Sequence, residues 1–132
     1  MTSTAERSMM TKEEFEAIVQ EVFDMLPGNI TERIENVHIV VEDYPHEATV
    51  KKMKLSSKFM LLGLYEGIPL NQRGTGYGMS ATIPDKVTLY KRNIEDVTKS
   101  HEELREKIRE VLIHELGHYH GMNEQQVRDA GY

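Results

Sequence analysis

Residues 114–124 of this chain read His-Glu-Leu-Gly-His-Tyr-His-Gly-Met-Asn-Glu, or H-E-x-x-H-x-x-G-x-x-E. On a helix, residues four apart lie on one face a turn apart, so the imidazoles of His114 and His118 can share one metal ion. Glu115 sits beside that pair, placed to reach a water at the ion without being a ligand itself. Gly121 can take the left-handed conformation that ends a helix, and a turn there makes Glu124 a candidate third ligand. Three protein ligands plus a water make a catalytic zinc site, whereas a structural site closes all four positions with protein. Glu124 also has a plainer reading: behind an Asn123 cap, an acid in the first turn of a short helix stabilises its positive end.

The spacing is too long to be a common accident. For a chain of this composition, H-E-x-x-H alone arises in roughly three chains per hundred, and the full form in roughly one in a few thousand. The surrounding helix adds a second argument. At about 100° per residue, Leu104, Ile108, Val111, Leu112 and Tyr119 gather on one side of residues 101–120. Glu115 falls in the middle of that apolar side, His114 and His118 lie along its edge, and His120 points away. A carboxylate in a buried stripe is costly unless something compensates it, and a metal centre with its water would. Gly117, inside the same helix, costs about 1 kcal/mol relative to Ala, as if a strand or a substrate main chain passed close by.

The elements that must position these residues can be read in chain order. Residues 1–10 are small and polar, an expected unordered tail, and residues 11–132 read as one domain. Thr11 and Glu14 form a T-x-x-E capping box, followed by a helical apolar stripe of Phe15, Ile18, Val19, Val22, Phe23 and Leu26 that Pro27-Gly28-Asn29 stops. Val37, Ile39 and Val41 alternate as a strand; His38 and His46 beside it read as surface histidines rather than ligands. Residues 47–60 fit a helix or an irregular connection. A strand at Leu61–Glu66 and another at Lys86–Lys91 flank a glycine-rich loop, and Asn93–Ser100 reads as a turn or short helix. The loop's Arg73-Gly74-Thr75-Gly76-Tyr77-Gly78 lacks the Lys-Ser/Thr of a phosphate loop, and local sequence suits a flap, an active-site rim or a disordered insertion equally well. Ser100 and Glu103 open the motif helix with S-x-x-E. The fold class is therefore α+β: a small mixed β-sheet with an N-terminal helix and a C-terminal active-site helix.

Composition excludes several classes. With no cysteine, there is no disulfide framework and no thiolate zinc site, so a metal must use imidazole and carboxylate. A net charge of −6 without a basic block argues against nucleic acid and anionic membrane surfaces. The longest apolar run, Phe59–Leu62, is far too short to span a bilayer, and residues 1–10 carry no secretory block. The expectation is a cytoplasmic protein.

The chain resembles the small bacterial zincin-like metallopeptidases often called minimal zincins. The resemblance runs through Leu61-Leu62-Gly63-Leu64-Tyr65-Glu66-Gly67-Ile68-Pro69-Leu70, then Pro84-Asp85-Lys86-Val87-Thr88-Leu89-Tyr90, the motif helix and a closing Gly131-Tyr132. Members usually carry Asp where this chain has Glu124. The resemblance implies a minimal zincin-like fold, a zinc cofactor and metallopeptidase activity on a peptide or protein whose identity it does not supply. In that reading His114, His118 and Glu124 hold the metal and Glu115 is the general base. An extended substrate would lie beside an edge strand at Leu61, Leu62, Gly63, Leu64 and Tyr65, with Tyr77 on the rim. Tyr77, Tyr132 and His120 are the candidates to stabilise an oxyanion. The rival expectation is a non-catalytic, metal-containing module that holds a peptide or protein in the same cleft.

Overall fold

The apolar stripes found in the sequence meet in one core. The computed structural model describes residues 10–31, 34, 37–67 and 85–129. Helix α1 (Lys12–Asp24) begins at the expected box: the Thr11 hydroxyl accepts from the Glu14 amide at 3.0 Å, and the Glu14 carboxylate accepts from the Thr11 amide at 2.9 Å. Its stripe of Phe15, Val19 and Val22 is buried. A four-residue helix, α2 (Gly28–Thr31), follows where the sequence suggested only a stop, and it buries Ile30.

Three strands form a mixed sheet in the order β1-β3-β2. Strand β1 (Val37–Glu42) runs parallel to β3 (Asp85–Tyr90), with Val37 opposite Asp85 and Glu42 opposite Tyr90. Strand β2 (Gly63–Glu66) runs antiparallel to β3, with Gly63 opposite Leu89 and Glu66 opposite Lys86. Among the described residues, β2 pairs with β3 alone, which makes it an edge. It is shorter than the expected 61–66, because Leu61 and Leu62 belong to the approach. The segment between β1 and β2, ambiguous in sequence, forms helix α3 (Glu47–Lys52) and a single 3-10 turn, Lys58–Met60.

Directly paired residues share a face of the sheet. Val41, Val87 and Leu89 therefore face the helices, as does Gly63, and all four are buried. Alternation assigns Thr88 and Tyr90 to the opposite face, and both are buried as well.

After β3 the chain enters helix α4 (Lys91–Asp96), most of which is buried despite its polar residues. Lys91 and Glu95 pair at 3.1 Å in the interior. Asn93 donates to the carbonyls of Lys58 (2.8 Å) and Leu61 (2.7 Å), and so fixes the segment that leads into β2. Helix α5 (His101–Tyr119) starts at Ser100, whose hydroxyl accepts from the Glu103 amide. The Glu103 carboxylate reaches one residue further back than the usual box, accepting from the Lys99 amide. Leu104, Ile108, Leu112 and Leu116 of α5 are fully buried against α1 and the sheet. Helix α6 (Glu124–Asp129) closes the described chain. No helix among the described residues is long and apolar enough to cross a membrane.

Candidate metal centre and cleft

The last turn of α5 ends in a hydrogen-bond pattern that needs a left-handed residue. The Gly121 amide donates to the His118 carbonyl at 2.9 Å, and the Met122 amide donates to the Gly117 carbonyl at 3.0 Å. This pair of bonds is the Schellman ending, and Gly121 supplies it with φ of 92°. The chain then reverses and is capped again at once. The Asn123 side chain accepts from the Gln126 amide, and the Gln126 side chain accepts from the Asn123 amide, both at 2.8 Å. So the motif glycine and the Asn123 cap together start α6 one reversal away from the histidines.

His114 and His118 stand one turn apart with ring centroids 5.1 Å from each other and planes at 72°. Both are half-buried. His118 Nδ1 lies 2.8 Å from the Met122 carbonyl oxygen. A carbonyl can only accept, so Nδ1 carries the proton and in the neutral ring the lone pair is on Nε2. An imidazole held this way by a backbone carbonyl is in the tautomer and orientation of a metal ligand. The donor set thus fits zinc: two imidazoles on one helix face, one with its second nitrogen anchored, in a chain without thiolates. His120 is turned elsewhere. Its Nε2 donates to the Ile30 carbonyl at 2.8 Å, tying the end of α5 to α2.

Glu115 is only 9 % exposed, in keeping with its place in the apolar side of α5. Strand β2 approaches that part of the helix because Gly63 has no side chain. A β-carbon built at Gly63 would lie 2.5 Å from Val111 Cγ1, 3.3 Å from the Thr88 carbonyl oxygen and 3.4 Å from Glu115 Cγ. The two walls bound a cleft of about 600 Å³. One wall carries His114, Glu115 and His118, and the other carries Leu61, Gly63, Leu64 and Tyr65. Gly121, Met122 and Asn123, and Met53 at the end of α3, complete the lining. A smaller pocket of about 240 Å³ adjoins it, reaching Leu62, Lys107 and Val111 past the shared residues Leu61, Gly63, His114 and Glu115.

Tyr65 is held rigidly in its wall. Its hydroxyl donates to Asp85 Oδ2 at 2.9 Å, and its ring meets Tyr119 edge-on at 6.1 Å between centroids. Asp85 is buried, and it leaves no room beside Gly67, whose φ is 151° and where an added β-carbon would overlap the carboxylate. Tyr90, on the far face of β3, is a phenol that stays protonated. Burial, and then the carboxylates of Glu42, Glu66 and Glu115, push its pKa up to about 12.

The candidate residues are therefore only partly brought together here. His114, Glu115, His118, Leu61, Gly63, Leu64 and Tyr65 share the cleft, while Leu62 lies in the adjoining pocket. The Glu124 side chain, Tyr77 and Tyr132 lie outside the described residues, as does the glycine-rich run 73–78. Among the described residues no group of three or more His, Cys, Asp or Glu is gathered around a point. Sequence reasoning missed Met53, Asp85 and Asn93. Asp85 carried a signal, being polar at the strand parity of Val87 and Leu89; Met53 and Asn93 carried none.

A family model described as zincin-like metallopeptidase matches residues 34–132. No curated protein matches the chain.

Proposed function

The chain belongs to the zincin-like metallopeptidases, and from that premise we propose that it hydrolyses peptide bonds with zinc, using His114, His118 and Glu124 as ligands and Glu115 as general base. The observation that carries this reading is the placement of Glu115. A carboxylate held 9 % exposed on a helix, beside two imidazoles and facing an edge strand across one cleft, is placed to act as a base on a substrate lying there.

Bound zinc would supply a Lewis acid that polarises the scissile carbonyl and makes a nearby water more acidic. The chain's own residues do the rest. Glu115 accepts a proton from the water as its oxygen attacks the carbonyl carbon. It then gives that proton to the amide nitrogen as the C–N bond breaks, so the amine leaves neutral and the carboxylate is restored. The Met122 carbonyl holds the His118 ring throughout. The outer edge of β2 offers main-chain hydrogen bonds to an extended substrate, which would carry its carbonyl past Glu115.

Glu115→Gln is the deciding variant. An amide cannot take the water's proton, so the variant should keep its fold and its zinc and lose turnover by about a hundredfold or more. Wild-type turnover that survives in Glu115→Gln would overturn the base assignment. Capture of peptides by zinc-loaded wild type with no cleavage would favour the binding module.

A further inference from the structure

Met53 is a large apolar side chain that is 42 % exposed, yet it lines the same cleft as Glu115. It stands at the end of helix α3, directly before a left-handed turn. Helix α3 ends with the Lys54 amide donating to Lys51 and the Leu55 amide donating to Val50, again the Schellman pattern. The left-handed position, taken by glycine at Gly121, is taken here by Lys54 at φ 57°. A side chain in that conformation is disfavoured and persists where the surroundings hold it. The turn reverses the chain directly after Met53, which lines the cleft.

Leu61, Leu64 and Met122 line the same cleft. Each of these is only half-buried. Two methionines from separate parts of the chain thus contribute to one apolar lining beside the proton-transfer carboxylate. Methionine has three rotatable bonds and a polarisable sulfur, so such a lining adapts to differently shaped apolar groups. We propose that Met53, with Leu61, Leu64 and Met122, forms a side-chain subsite that selects peptide substrates carrying a large apolar residue such as Leu, Met or Phe. The proposal rests on the peptidase reading for the chemistry, but the subsite itself is a matter of binding. Selectivity then comes from a residue far from the motif in sequence, on a wall that the metal ligands do not build.

The test uses one synthetic peptide library with a single varied position, presented to zinc-loaded protein in two ways. Retention is read on Glu115→Gln with Met53 intact, replaced by Lys, or replaced by Leu; cleavage is read on wild type. The side chain at 53 is partly exposed, so Met53→Lys should fold, and thermal melts check that it does. The expected result is enrichment of Leu, Met and Phe among retained peptides by about tenfold, the effect of burying one such side chain. Met53→Leu should keep that enrichment, and Met53→Lys should lose it and favour Asp or Glu instead. Retention without apolar enrichment, an unchanged profile in Met53→Lys, or no retention at all would each overturn the subsite. Selective retention without wild-type cleavage would uphold the subsite and overturn the peptidase reading alone.

Discussion

Val127 of α6 packs directly over Gly117 of α5: a β-carbon at Gly117 would lie 3.0 Å from Val127 Cγ2 and 3.7 Å from the Met122 sulfur. Val127 is fully buried. The glycine expected to admit a strand or a substrate main chain therefore admits the helix that begins with Glu124. Its location ties the depth of α6 to the end of the histidine helix.

Gly117→Ala tests that tie. Alanine should gain about 1 kcal/mol in helix propensity, but overpacking against a buried side chain costs about 1–3 kcal/mol. The two nearly cancel in stability, so the displacement of α6 is the better readout. On the proposed ligand set zinc affinity should fall several-fold, because the Met122 carbonyl that holds His118 and the start of α6 lie in the segment that is displaced. Trimming the obstacle should restore it, so that Val127→Ala in the Gly117→Ala background shows a coupling of about 1 kcal/mol. Strictly additive effects in the double-mutant cycle would mean that the contact positions nothing.

The three histidines of the motif should separate cleanly. His114→Ala and His118→Ala should each abolish stoichiometric zinc, measured by elemental analysis of purified protein. His120→Ala should keep zinc and lose about 1 kcal/mol of stability, since it leaves the Ile30 carbonyl without its donor. Glu124→Ala should weaken zinc binding, and Glu124→Asp should hold it, if the carboxylate is the third ligand. Zinc retained by Glu124→Ala at wild-type affinity would leave Glu124 as a helix-end acid.

How much of this was legible in the sequence depended on whether the signal was local. Both capping residues, Thr11 and Ser100, announced their helices, and the alternation of Val37, Ile39 and Val41 announced β1. The placing of Glu115 in the apolar side of its helix followed from 100° per residue alone. What was missed depends on partners distant in sequence. Helix α4 buries Lys91, Asn93 and Glu95, a pattern that reads as surface until the Lys91–Glu95 pair and the bonds from Asn93 to Lys58 and Leu61 are known. Thr88 and Tyr90, on the face of β3 opposite Val87 and Leu89, are buried as well, which alternation alone does not encode. The roles of Gly63 and Gly117 lie in what a side chain would strike, and no periodicity encodes that.

Tyr90 makes alkaline stability a test of burial. Its folded pKa of about 12 exceeds the ordinary 10.0. Below pH 10 the phenol is protonated in both states and the full contribution is present. Between about pH 10 and 12 the unfolded chain releases the proton while the fold retains it, so stability falls as pH rises. Tyr90→Phe should remove that part of the decline. The wild-type denaturant midpoint should fall more steeply than that of Tyr90→Phe across this range, and parallel curves would show that Tyr90 is solvated.

Gly63 probes the other wall of the cleft. An alanine there would place its β-carbon 2.5 Å from Val111 Cγ1, and the paired strand β3 prevents β2 from simply sliding aside. Either β2 lifts from α5 or Val111 is driven from its rotamer, at a cost of about 1–3 kcal/mol. The two histidines are on the helix and not on β2, so zinc affinity should survive. On the proposed substrate alignment turnover would suffer where β2 lifts, because the edge then moves away from Glu115. The expected result for Gly63→Ala is a folded, zinc-loaded protein with kcat/KM down by about tenfold or more, the reverse of the Gly117→Ala profile. Val111→Ala should recover part of the loss by vacating the space. If Gly63→Ala instead releases zinc, the strand supports the metal rather than the substrate, and the edge loses its proposed role.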